Sequence, residues 1–392
     1  MYGIAQVLFW TSILLLAYTF VGYPALVRLW ARLRPRPVSR GHWEPTVTLL
    51  VVAHNEAARI DARLANFASL DYPRHRLQIL VASDGSTDRT AQLARAWRGA
   101  GVEVIEFLQR RGKPAVLNDT LRVARGEIVL LADARQRFAP DVVRALVASF
   151  ADPAVGAVSG ELILTCDTDE NTVGAGVDTY WRYEKLIRWS ESRVDSAVGA
   201  TGAIYAIRRS LFEPIPEDTI LDDVWLPMRI TGWGYRVLFE PRARAWDQAP
   251  ATAAQEFTRK VRTLAGNFQL FARERWLLDP FQNRLWLQTV SHKALRLLTP
   301  LLLLIALGTN LLLLGGPPFH ELTLAGQFVF YAAALGGYVM TLGGGQRPVR
   351  ILTVPYVICL LSAATLVALF RFVRRGQSVA WDKPLTLRSR RV

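Results

Sequence analysis

Met1 to Val27 contains no charged side chain. As a helix this stretch would reach about 40 Å, beyond the ~30 Å hydrocarbon core of a bilayer, so the chain opens with a segment able to span a membrane. A cleaved secretory signal would carry its basic residues before a shorter apolar run. Here Arg28, Arg32, Arg34, Arg36 and Arg40 come after it. Arginines bordering a span mark the cytoplasmic side, which places the amino terminus outside. Three more uncharged stretches follow late in the chain: Leu297 to Phe319, Leu322 to Gln346 and Ile351 to Phe370. Each is long enough to cross. The first connection between them, 315–322, lacks Lys and Arg, whereas the second, 343–350, carries Arg347 and Arg350. Strict alternation then leaves Arg371, Arg374, Arg375, Arg388, Arg390 and Arg391 outside, against the charge rule. Either the rule yields here or one stretch does not cross. Ile351 to Phe370, with Pro355 and the small run Ser362, Ala363, Ala364, also reads as a bent or re-entrant hairpin.

The formal net charge of +14 raises the question of nucleic acid, which its distribution answers. Residues 1–45 hold five Arg and one acid, and residues 371–392 hold seven basic residues and one acid, so the ends carry +10 and everything between only +4. Charge gathered beside apolar segments marks membrane flanks that meet anionic lipid headgroups; a nucleic-acid footprint would be a basic face on the globular part. We therefore expect membrane lipids and no nucleic acid as partners. Cys166 and Cys359 lie 193 positions apart without a His cluster, which supports neither a disulfide framework nor a zinc site.

From Thr46 the pattern changes to short apolar runs, each followed by a helix-like stretch. The runs TVTLLVVA, LQILVAS, VEVIEF and EIVLLADA alternate with EAARIDARLANFAS, TDRTAQLARAW and KPAVLNDTLRVA. Continuous apolar strands between amphipathic helices predict an α/β domain with a mainly parallel sheet covered on both faces. Ligands of such sheets bind beyond the carboxyl ends of the strands. Asn55 and Glu56, Asp84, Lys113 and Asp133 stand at or beside those ends. Carboxylates there can accept ribose hydroxyls or a base N–H, a lysine can meet phosphate, and a carboxylate beside a diphosphate can hold Mg2+ or Mn2+. Each has a plainer reading too: Asp84 with Ser86 and Thr87 can cap the next helix, and Glu56 suits a helix start through the dipole alone.

With VAHNE at 52–56, SDGSTD at 83–88, RGKPAVLN at 111–118, ADAR at 132–135, LDDVWL at 221–226 and RKVRT at 259–263, the chain resembles the inverting family-2 glycosyltransferases with a GT-A domain. The resemblance is to their membrane-embedded branch, which includes chitin, cellulose and poly-N-acetylglucosamine synthases. It implies that Asn55, Glu56 and Asp84 hold the nucleotide with Lys113 beside it, that Asp133 meets the diphosphate and a Mg or Mn ion, and that Asp223 is the catalytic base. It further implies that Arg259 and Arg262 clamp the leaving diphosphate and that Gly202 and Trp225 border the acceptor. Inversion requires a carboxylate able to take a proton from the acceptor hydroxyl opposite the leaving nucleotide, and Asp223 answers that requirement. Asp222 and Asp223 can also simply serve a helix start. Two departures stand out. The family's D-x-D reads Asp133, Ala134, Arg135, so Arg135 either neutralises phosphate itself or points away while Asp133 alone binds the ion. The family's Q/R-x-x-R-W box ends in Thr263 rather than Trp, and that Trp belongs to the acceptor end of polymerising relatives.

Residues 251–294 mix basic residues with Phe257, Phe268, Phe271, Trp276, Phe281 and Trp286, a pattern suited to amphipathic helices on the inner leaflet. The expected organisation is a membrane helix over 1–30, a basic linker over 31–45, a GT-A domain over 46–250 and interfacial helices over 251–295. Membrane segments over 296–371 and a basic tail over 372–392 complete it. The function expected is transfer from a UDP-sugar to a growing β-linked polysaccharide, by a multi-pass inner-membrane protein with a cytoplasmic catalytic domain. Single addition to a lipid or polyprenyl-phosphate acceptor is the close alternative, and an inactive nucleotide-sensing or export-complex subunit is one of another class.

Overall fold

The structure, a computed structural model, describes residues 2–165, 172–249, 252–342, 350–374 and 376. Cys166, Arg347, Arg375 and the later tail arginines lie outside the described residues. The chain starts as helix α1 Tyr2–Ala17, passes through a π turn at Tyr18–Gly22 and continues as α2 Tyr23–Leu33. Together these make 32 residues, long and apolar enough to cross a bilayer.

Eight strands then form one sheet: β1 Val47–Ala53, β2 Leu77–Asp84, β3 Val102–Phe107, β4 Ile128–Ala132, β5 Arg137–Phe138, β6 Val155–Thr165, β7 Ile204–Arg208 and β8 Arg236–Gln248. Their order is β3-β2-β1-β4-β7-β6-β8-β5. The apolar runs expected as strands are β1 to β4, and all three pairings among them are parallel. The other half is mixed: β7 runs antiparallel between β4 and β6, β8 runs parallel to β6, and the short β5 runs antiparallel to β8. Successive side chains of β1 go to opposite faces, as a pleat requires. Leu49 and Val51 enter one core with Phe67 and Val143, while Leu50 enters the other with Leu117 and Leu226. Helices α3 Ile60–Ala68, α4 Thr90–Ala96 and α6 Val142–Val147 cover the first face; α5 Lys113–Thr120 and, past α7 Thr172–Val194, α8 Asp222–Gly232 cover the second.

Helix α9 Ala253–Arg273 is the amphipathic helix expected after the domain. The stretch between α9 and the next apolar helix is shorter than expected, because α10 Trp286–Thr289, a π turn at Val290–Ala294 and α11 Leu295–Leu312 form one apolar helix of 27 residues. A boundary at 295 therefore falls inside it; the charges at Lys293 and Arg296 hid its continuity. Helices α12 Pro318–Leu342 and α13 Arg350–Val373 follow, also apolar and long enough to cross. Helix α13 is continuous, not a re-entrant hairpin. Pro355 sits near its start, where it removes a single backbone bond and the helix carries on. Its far end packs Ala364 and Ala368 on Val261 and Ala265 of α9, and Phe372 stacks on Phe268 with centroids 6.1 Å apart. The last helix thus ends packed against α9.

Candidate active site

The sheet topology brings the chemistry together. Because β4 and β7 run antiparallel, Ala132 pairs with Ile204, so Asp133, just past the end of β4, lies beside the Thr201–Gly202 segment leading into β7. Helix α8 delivers its first-turn acids to the same place. The Asp223 Oδ2 accepts the Gly202 N–H at 2.8 Å, and the Asp223 carbonyl accepts the Ala200 N–H at 2.8 Å. A Cβ at position 202 would meet the same carboxylate oxygen at 2.8 Å, so a glycine is needed for so close an approach.

Lys113, at the start of α5, joins the two acidic positions. Its Nζ lies 3.3 Å from Asp133 Oδ1 and 3.3 Å from Asp222 Oδ2. Burial works to lower the Lys113 pKa, but Asp222, Asp133 and Asp223 outweigh it and raise the value, so the ammonium stays charged. Burial and the neighbouring Asp222 push the Asp223 carboxyl up, against Lys113, Lys293 and the Gly202 N–H. Arg262 reaches in from α9: its Nη2 donates to the Ile220 carbonyl at 3.4 Å, and burial lowers its pKa against the pull of Asp222, Asp223 and Asp133. Tyr205, fully buried on β7, points its hydroxyl at Asp222 from 3.5 Å.

Lys113, Asp133, Asp223 and Arg262 are therefore brought together, with Asp222 and Tyr205 added. The other expected residues have different surroundings. Asp84 is buried, and its carboxylate accepts the N–H groups of Arg111 at 2.6 Å and Gly112 at 2.9 Å. It holds the turn that presents Lys113 and does not cap α4; Asp88 serves that helix by accepting the Thr90 N–H at 2.9 Å. Asn55 adopts a left-handed φ of 53°, tolerable for Asn, and its Oδ1 accepts the Thr87 N–H at 2.8 Å and the Asp88 N–H at 3.3 Å. Glu56 pairs with Arg59 at 2.9 Å while its N–H donates to Thr90 Oγ1. These three stand at the ends of β1 and β2, at the same sheet edge as Asp133. Arg259 is one turn before Arg262 and partly exposed.

Trp225 corrects the expectation of an acceptor contact. Its ring is 4% exposed in the second core, and its Nε1 donates to Glu274 at 2.8 Å, so it ties α8 to the end of α9 and offers no face to a sugar. Arg135 also resolves: its Nη2 lies 3.5 Å from Asp247 on β8, and Gln136 Nε2 donates to the same carboxylate at 2.9 Å. Sequence reasoning missed Arg63, which is wholly buried between the rings of Phe67 and Phe138 and donates to the Gln136 carbonyl at 2.7 Å. Burial lowers its pKa to about 9, against Asp133. The only signal for it was an arginine on the apolar side of α3.

No group of three or more His, Cys, Asp or Glu side chains gathers to hold a metal among the described residues. Asp133 is still partly exposed beside Lys113, which fits a cation drawing most of its ligands from substrate phosphates, as Mg2+ commonly does.

Residues 48–215 match the family described as Glycosyl transferase family 2. Over 240 residues the chain is 27% identical to a protein named Probable glycosyltransferase YdaM of Bacillus subtilis (strain 168), covering 57% of this chain and 55% of that protein. Over 237 residues it is 23% identical to the poly-beta-1,6-N-acetyl-D-glucosamine synthase of Staphylococcus epidermidis, covering 59% and 56%. It thus spans little more than half the length of these curated relatives. Among solved structures it is similar to the mannosyltransferase PcManGT from Pyrobaculum calidifontis, in complex with GDP-Man and Mn2+: TM-score 0.70, 26% identity, covering 93% of this chain and 99% of that one. With strand-end acids, a lysine and an arginine meeting at the edge of a sheet of this kind, residues 48–215 match Glycosyl transferase family 2 on a GT-A fold, and the chain is similar to the poly-GlcNAc synthases.

Proposed function

We propose that this enzyme transfers a sugar, with inversion, from a UDP-sugar to an acceptor hydroxyl at the cytoplasmic face of the inner membrane. The observation that carries the reading is the Asp223 carboxylate, fixed by the Gly202 N–H and flanked by Lys113 and Arg262. A carboxyl group raised by burial is a better base near neutral pH than an ordinary one. Asp223 takes the proton of the acceptor hydroxyl as the acceptor oxygen bonds to the anomeric carbon, and the bond to the diphosphate breaks with its electron pair leaving on the nucleoside diphosphate. Lys113 and Arg262, with Arg259 one turn behind, meet the charge growing on that leaving group. Asp133 would hold a Mg or Mn ion, which when bound neutralises part of the diphosphate charge. A nucleoside laid across the ends of β1 and β2 would rest against Asn55, Glu56 and the turn that Asp84 holds. The arginines from Arg28 to Arg40 support the cytoplasmic orientation.

Two acceptors suit this chemistry. A growing β-linked polysaccharide follows from the names of the poly-GlcNAc synthase relatives. Single addition to a lipid or polyprenyl-phosphate acceptor is favoured by Thr263, which stands exposed where the resembling polymerising enzymes carry Trp. The chain-length likeness to a mannosyltransferase in complex with GDP-Man makes GDP-mannose the second donor to try. Membranes incubated with labelled UDP-sugar or GDP-mannose separate these readings: a polymer supports the first and a discrete extractable lipid the second. Asp223→Asn should abolish nucleotide release while nucleotide binding persists; unchanged turnover would remove the assignment.

A further inference from the structure

Where α7 meets the head of the membrane helix 286–312, the chain buries a cluster of charge that the transfer reaction as described does not use. His292 Nδ1 lies 2.9 Å from Glu191 Oε1, and its Nε2 lies 2.8 Å from Glu184 Oε1. Tyr23 donates to Glu191, and Arg296 Nη1 donates to Glu184 Oε2 at 2.8 Å. Arg188 Nε lies 3.4 Å from Glu184, while its Nη1 donates to Thr201 Oγ1 at 2.7 Å, next to the glycine that holds Asp223. Glu184, Glu191 and His292 are each under a tenth exposed, and such groups persist in an interior when they satisfy one another.

Lys293 is the exception. It makes no hydrogen bond or ion pair with any described residue, and its electrostatic neighbours are Arg188, Glu184, Asp223 and Arg296. Its neighbour His292 is locked onto α7, and adjacent helical residues project in different directions, so Lys293 stands outside that joint, with Asp223 among its electrostatic neighbours. Lys293 sits within the π turn Val290–Ala294, and such turns recur at functional sites. Three cations thus share Glu184, which His292 already engages, and Asp223. When Asp223 takes the acceptor proton it loses its charge, and the positive excess beside it is largest as the new bond forms. An anion brought by the acceptor would balance it. The location also selects the kind of acceptor: Leu298, Leu301 and Leu304, exposed on the same helix, begin its apolar surface within three turns of Lys293.

We propose that Lys293 and Arg188 form an anion subsite beside Asp223 that binds the phosphate of a membrane lipid, whose headgroup hydroxyl is the acceptor. This deepens the lipid-acceptor reading and rests on Asp223 as the base. The hydroxyl proton goes to Asp223, its oxygen bonds to the anomeric carbon, and the electron pair of the broken C–O bond leaves with the nucleoside diphosphate. The lipid phosphate is unchanged throughout.

The test titrates the full-length, detergent-solubilised protein with dioctanoyl phosphatidylglycerol, with dioctanoylglycerol, which lacks the phosphate, and with inorganic phosphate. The wild type should bind the phospholipid most tightly, and Lys293→Gln should weaken that binding about tenfold, as loss of a charge-assisted contact does, while UDP binding stays within about twofold. Lys293→Arg should restore most of it, which a purely structural lysine would not require. Equal binding of the two amphiphiles, or no effect of Lys293→Gln, overturns the subsite. Inorganic phosphate binding as tightly as the phospholipid would assign the site to free phosphate and overturn the lipid part. If Asp223→Asn retains turnover, the base assignment fails instead, whatever Lys293 does.

Discussion

Two ends of one sheet edge treat their carboxylates differently. At the ends of β1 and β2, Asn55 and Asp84 satisfy their side-chain oxygens with backbone N–H groups of neighbouring turns. At the end of β4 and the start of α8, Asp133, Asp222 and Asp223 face Lys113 and Arg262, and among the described residues only Gly202 supplies a backbone donor to one of those side chains. Backbone donors fix a loop in one shape, whereas a cluster of opposed charges leaves each group's protonation dependent on its neighbours. The first arrangement suits holding a nucleoside. The second suits moving a proton.

Gly202→Ala should break the second region most severely. The added methyl would overlap Asp223 Oδ2, so the carboxylate must move from its place. A base displaced by about 1 Å costs on the order of 100-fold in rate, so we expect kcat to drop by that order while nucleotide binding and thermal unfolding stay near wild type. Stopped or continuous nucleotide release assays measure the first, and a melting curve the second. A variant with full kcat would mean that Asp223 does not act from the observed position.

The pH profile sharpens the comparison. With the Asp223 carboxyl raised by burial and Asp222, the active carboxylate forms only above the ordinary carboxylate range. Activity should therefore climb about tenfold per unit below that raised value before levelling. Stability runs the other way: a carboxyl whose folded pKa is raised favours the folded state at low pH, and that contribution fades as pH rises from the ordinary value through the folded one. Asp222→Asn removes the like charge and should move the activity limb to lower pH. A limb that stays in place would assign the titration to another group.

Asp84→Asn probes the first region. Half of the acceptor capacity for the Arg111 and Gly112 N–H groups is replaced by a donor, which should loosen the turn presenting Lys113 at a cost of about 1–3 kcal/mol in stability. The kinetic signature expected is a donor KM several-fold higher with kcat less affected, measured by initial rates against donor concentration. A loss confined to kcat would move Asp84 into the reacting cluster.

How much of this was legible beforehand follows from where the information lies. Strands β1 to β4 were readable because a strand buried on both faces is written as a continuous apolar run, and the polar residue after each run marks the strand end. Asp133 and Lys113 were singled out that way, and Asp223 through the resemblance. The antiparallel β7 was not, since pairing direction is set by contacts between β4 and a segment some seventy residues on. Nor was the Arg135–Asp247 pair, whose partners are 112 positions apart. Lys293 escaped because a basic residue before an apolar stretch reads as a headgroup contact, and only the folded chain gives it Asp223 as an electrostatic neighbour.

Trp225 shows how residue type alone misleads beside a catalytic acid, and its replacement carries the smallest expected effect. An aromatic two residues after Asp223 suggests a platform for a sugar, yet the ring is enclosed and its N–H is bonded to Glu274, which also accepts from Trp276 Nε1 at 2.9 Å. Trp225→Phe keeps an aromatic ring and removes that donor. It should lower stability by about 1 kcal/mol, the net value of one hydrogen bond, and leave acceptor KM unchanged. Denaturant unfolding and acceptor titration on the same preparation read both quantities. A rise in acceptor KM without loss of stability would put the acceptor against α8 and assign the tryptophan to substrate after all.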